Sequence, residues 1–197
     1  MIRYSLILFF LYIFKPAPGQ DSLRFSGQLS LWGNASSGSD LPVWTGIRYI
    51  PQVNYEATPA SRFRLDGELS ANFFASAGFN LFDTLTASGN LKLYRTWIRL
   101  SSDQMELRLG LQKLNFGSAS MLRPLMWFDQ IDPRDPLQLT DGVWGLLARY
   151  YFLNNTNIWL WGLYGNNERR GWELIPVNSK IPEFGGRLQL PVSTGAV

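Results

Sequence analysis

Neither cysteine nor histidine occurs anywhere in the 197 residues. Without cysteine there is no disulfide framework, no thiolate metal site and no lipid-modified anchor cysteine. Without histidine the chain lacks the commonest general base and the commonest metal ligand. Both absences argue against an enzyme, and no cofactor or metal is expected. Charge imbalance is also slight: 18 Lys and Arg against 15 Asp and Glu leave +3, which gives nucleic-acid binding no support. A long apolar run is missing too. The longest candidate, residues 6–14, is far shorter than the ~20 residues a membrane helix needs. It follows Arg3 and precedes Lys15-Pro16 and Ala17-Pro18-Gly19. That is the pattern of a secretory signal peptide, with cleavage after Gly19. Residues 1–19 are expected to be the export signal and residues 20–197 a single domain.

What the chain does have is aromatic residues, 15% of the total with eight Trp, and strict alternation. In residues 62–75, Phe63, Leu65, Leu69, Ala71 and Phe73 fall on one face. Arg62, Arg64, Asp66, Glu68, Ser70 and Asn72 fall on the other. Period two means a strand. Its length exceeds the usual ~5–6 residues and suits a tilted membrane-spanning strand of about 9–11 residues with rim extensions. If the apolar face meets lipid, the charged face lines an interior.

Eight such segments can be traced, at 23–32, 43–57, 62–75, 90–100, 105–116, 142–152, 157–165 and 183–192. Pro51 lacks a ladder donor, so an irregularity is expected there. The alternation slips near Lys113, where a bulge would return Leu114 and Phe116 to the apolar side. Connections alternate in length. Stretches 33–42, 76–89, 117–141 and 166–182 read as long loops, and 58–61, 101–104 and 153–156 as short turns. Outer-membrane barrels segregate loops in this way, short turns periplasmic and long loops external. The strand at 62–75 then rises from a periplasmic turn, so Arg62, Arg64, Asp66 and Glu68 lie in the periplasmic half of the interior. Trp32 and Trp44 flank the first long loop and are expected in an interfacial aromatic girdle. Trp97 shares the parity of the arginines and is expected to stack on one of them.

The inward face carries Arg24, Arg48, Arg62, Arg64, Arg95, Arg99, Arg108, Arg149 and Arg187, with fewer acids, Asp66, Glu68, Glu106 and Glu183. Two readings stand side by side. One is a salt-bridged wall; the other is a cationic path for anionic or polyhydroxylated solutes. Candidate solute contacts are Arg95, Arg99, Arg108, Arg149, Arg187 and Trp97. Loop 117–141 is too apolar to float in water, so it is expected to fold into the mouth or lumen as a constriction. Its candidate residues are Arg123, Trp127, Asp129, Asp132, Arg134 and Asp135, with Arg134 and Asp135 pinning it to wall charges. The three loop aspartates lack calcium-loop spacing.

Two stretches carry a resemblance: Gly110-Leu-Gln112-Lys-Leu-Asn115-Phe-Gly117, then Ile131-Asp132-Pro-Arg134-Asp135-Pro. With Pro182-Glu-Phe-Gly-Gly-Arg187-Leu-Gln, they resemble bacterial outer-membrane porin-like barrels related to alginate-export proteins, particularly those of Bacteroidetes. Leu111 stands where that group often has arginine, and Phe116 where it often has tryptophan. The resemblance implies passage of a polar, anionic or saccharide solute through the outer membrane, with lipid as the other partner. It also implies about twice as many strands as are present. The expectation is therefore an all-β antiparallel transmembrane barrel, present as an N-terminal fragment of about eight strands, with its oligomeric state left open. The competing readings are a secreted all-β carbohydrate-binding module and a small closed structural barrel without a pore.

Overall fold

The structure is a computed structural model, and it describes residues 22–36, 41–80, 85–114, 128, 139–167 and 178–191. Eight strands form one sheet: β1 (Ser22–Ala35), β2 (Val43–Ala60), β3 (Phe63–Phe79), β4 (Leu85–Ser101), β5 (Met105–Gln112), β6 (Val143–Tyr151), β7 (Asn157–Leu163) and β8 (Glu183–Gln189). Each pairs antiparallel with the next in chain order, and β1 and β8 are the edges. Among the described residues there is no helix. All eight expected strands are present, in the expected order.

The registers sort the side chains into two faces, because directly paired residues point the same way. Asp66 pairs with Arg99, Arg99 with Arg108, Glu106 with Arg149 and Trp159 with Arg187. The other face gathers the large apolar side chains, and these are the exposed ones. Phe25 is 73% exposed and Leu31 72%, whereas Arg95 is 7% and Asp66 9%. A sheet bathed in water on one side has the reverse arrangement. On β1 the apolar band runs from Leu23 to Leu31. That is about 27 Å of strand at ~3.4 Å per residue, on the scale of the ~25 Å apolar band of an outer-membrane barrel.

Several local expectations fail. Residues 76–79 and 85–89 are not loop: β3 and β4 continue through them, with Phe79 opposite Leu85 and a Ser76–Ser88 hydroxyl pair at 2.9 Å. Alanine, serine and glycine hid this stretch because they carry no amphipathic signal, yet the ladder needs only backbone. The β3–β4 link is therefore no longer than the short turn after β6. Pro51 causes no register shift, since Tyr49 opposite Phe73 and Gln52 opposite Ser70 keep one register across it. A missing donor removes one ladder bond without inserting a residue. The shifts lie instead between Ala57 and Ala60 and between Ser70 and Ala71. At the second, the extra residue falls at Tyr94 of β4, which is why Lys92 and Arg95 share a face.

The expected slip at Lys113 is also displaced. β5 ends at Gln112, and its irregular residue is Gly110, with φ of 125°. Leu114 does not return to the apolar side. It is buried with Phe128, Val143, Leu147, Trp161 and Leu163, a cluster that includes inward-facing residues of β6 and β7. Gly110 is required on two counts: its backbone is left-handed, and a Cβ there would collide with the Thr96 carbonyl. Gly110→Ala is expected to lower stability by about 2 kcal/mol or more, read as a lower urea midpoint of the folded chain.

Candidate functional site

On the polar face a continuous row of charged and aromatic side chains crosses six strands. It starts on β3, where Asp66 accepts from Arg99 of β4 at 3.0 Å and Glu68 accepts from Trp97 Nε1 at 3.1 Å. The Trp97 ring carries the Arg99 guanidinium at 5.6 Å and the Arg108 guanidinium, from β5, at 4.7 Å. Arg108 donates to Glu106 at 2.8 Å, and Arg149 of β6 donates to the same carboxylate at 3.3 Å. Arg149 also lies 3.8 Å from the centre of the Trp159 ring on β7, with Arg187 of β8 at 5.1 Å. Arg187 in turn donates to Gln189 at 2.9 Å.

The row arises from strand parity alone. Each member has an inward position, and cross-strand neighbours on one face lie close enough for long side chains to touch. Its electrostatics are nearly balanced, with Arg99, Arg108, Arg149 and Arg187 set against Asp66, Glu68 and Glu106. Within the row the salt-bridged wall describes the geometry better than an unscreened cationic path. Ion pairing and ring contact both hold the guanidiniums flat against the sheet.

Arg95 departs from the solute-contact role expected of it. It is buried, and it donates to the carbonyls of Tyr94 at 2.6 Å and Thr140 at 2.8 Å. Lys92 pairs with Asp141 at 2.7 Å beside it. These contacts tie residues 140–141 to the stretch of β4 that has outrun β5. They act where Arg134 and Asp135 were expected to pin the long loop. Arg123, Trp127, Asp129, Asp132, Arg134 and Asp135 all lie outside the described residues. Phe128 is described, and it meets Trp161 edge-on at 5.8 Å, buried on the polar side of the sheet.

Trp32 and Trp44 belong to this face too, not to a lipid-facing girdle. Trp32 pairs with Gly46, and Trp44 with Gly78. A Cβ at Gly46 would collide with the Trp32 indole, and one at Gly78 would sit 2.7 Å from the Trp44 ring. Each indole therefore lies over the glycine across from it. No family model, characterised protein or solved structure matches the chain. Parity in the sequence put Glu106 on this face without showing that two arginines share it, and Trp159 was not expected as a second stacked ring. The second was findable, since Trp159 shares parity with the inward residues of β7. Among the described residues no cluster of Asp and Glu is arranged to hold a metal.

Proposed function

We propose that the chain is part of an outer-membrane β-barrel channel, exported by residues 1–19, whose polar face lines a path for polar solutes. One observation carries this reading: large apolar side chains stand exposed on one face of the sheet, while the other face carries ion pairs that are largely covered across β3 to β6. In lipid that arrangement is favourable, and in water it is not. Two open edges support a sheet that is part of a larger barrel, because unpaired backbone groups cannot face hydrocarbon. On this reading the 117–141 segment acts as the constriction. Phe128 against Trp161, and the ties from Lys92 and Arg95 to residues 140–141, support that role. The near-balance of the arginine row favours polar or saccharide solutes with weak anion preference over strongly anionic ones. The resemblance to alginate-export-related barrels points to the same class of channel.

The test is expression of the full gene product with its signal in a Gram-negative host. Recovery in the outer membrane, heat-modifiable gel mobility and stepwise conductance in planar bilayers are expected. A chain recovered as soluble periplasmic protein without detergent would overturn the proposal and favour the carbohydrate-binding module.

A further inference from the structure

Among the described residues five indoles stand on the polar face of the sheet: Trp32, Trp44, Trp97, Trp159 and Trp161. Three of them have their rings engaged. Trp97 carries two guanidiniums, Trp159 carries two more, and Trp161 packs against Phe128. Trp32 and Trp44 differ. Each has one side laid against a glycine of the next strand, and among the described residues no ring or guanidinium lies on the other side. Both are half-buried, as indoles lying flat on a wall would be.

The two are also neighbours. Because Trp32 pairs with Gly46 and Asn34 with Trp44, they stand diagonally across β1 and β2, about 7–8 Å apart at the backbone. On this face they adjoin Ser30, Asn34 and the Ser76 hydroxyl bonded to Ser88, and Trp32 has Arg48 as its other diagonal neighbour. The nearest cation on this face, Arg48, is buried and lies over the Phe74 ring at 5.1 Å. A pair of flat aromatic surfaces edged by hydroxyl and amide groups matches the two-sided chemistry of a pyranose. Its C–H face packs on a ring while its hydroxyls hydrogen-bond at the edge. With that cation buried, no exposed charge among the described residues adjoins the pair, which disfavours uronates and phosphates.

We infer that Trp32 and Trp44 form a stacking platform for a neutral oligosaccharide at the loop end of the polar face. The inference deepens the channel reading by naming its solute, but binding can be read without conduction. The experiment titrates the full chain, folded in detergent micelles, with maltohexaose by calorimetry, and with sulfate in a parallel run. Wild type is expected to bind maltohexaose and not sulfate. Trp32→Ala/Trp44→Ala is expected to bind at least about tenfold more weakly, roughly 1.4 kcal/mol. Trp32→Phe/Trp44→Phe keeps an aromatic ring if the alanine pair fails to fold, and should retain part of the affinity. Trp144→Phe, on the apolar face, should bind as wild type does. Unchanged affinity in the alanine variant, no maltohexaose binding by folded wild type, or sulfate binding at this site would each overturn the assignment. Sugar binding by a chain that never conducts would overturn the channel and leave the platform standing.

Discussion

An arginine placed at Leu29 is expected to keep much of the protein from folding into membranes, whereas an arginine at its neighbour Gln28 is expected to be tolerated. The two positions are adjacent on β1 and point to opposite faces, and both are exposed. Leu29 stands within the apolar band, 62% exposed. In lipid, arginine on the outer face of a barrel costs about 2–4 kcal/mol at the midplane and less toward the rim. A cost near 2 kcal/mol changes the folded-to-unfolded ratio roughly 30-fold. In water the sign reverses, because replacing an exposed leucine by arginine removes an apolar patch at no burial cost. Urea titration of both variants in lipid vesicles, followed by heat-modifiable mobility, separates the cases. Equal behaviour of Leu29→Arg and Gln28→Arg would sink the membrane reading of this face.

The second large effect is expected from Glu106→Gln. This carboxylate holds Arg108 and Arg149, on adjacent strands, with side chains only 12–15% exposed. Neutralising it leaves two guanidiniums close together with no shared counter-ion. Removing one partner of a well-covered ion pair costs about 3–5 kcal/mol. The amide still accepts hydrogen bonds and the row is open to solvent on one side, so about 2 kcal/mol is the better expectation. In a folded channel the same change adds one net positive charge to the polar face. Zero-current potential across a salt gradient should therefore move toward anion preference. A variant with unaltered urea midpoint and unaltered selectivity would mean that the row neither holds the sheet nor borders the path.

Much of the sheet was legible because its outward positions keep a period of two over long stretches, as in residues 62–75. What was hidden falls into two kinds. Ser76, Ala77, Gly78, Thr86, Ala87 and Ser88 have no strong side-chain preference, so the backbone ladder that continues through them left no pattern. Leu114 and Leu147 are apolar on the polar side, where parity alone assigns either lipid or interior. Only the Phe128 contact with Trp161 shows that an apolar island exists there to be covered. The Trp32 and Trp44 placement was readable, since both share parity with Ser30 and Arg48, but their nearness to a loop suggested the girdle. In the charged row, parity identified the charged members, Trp97 and their face, but not Trp159. The pairing of two arginines on one carboxylate needed the registers.

Strands β2, β3 and β4 run 17–18 residues while β7 and β8 run seven. Beyond Phe73 and Leu91 the β3–β4 hairpin continues for about 20 Å at ~3.3 Å per residue, with only Ala75, Ala77, Ala87 and Gly89 at its outward positions before Phe79. On the membrane reading this part stands clear of the lipid as a stiff, hydrogen-bonded parapet. Proteases need several residues of free backbone to bind, and a paired ladder withholds them. This raised part of the outward-facing surface would then also be hard to digest.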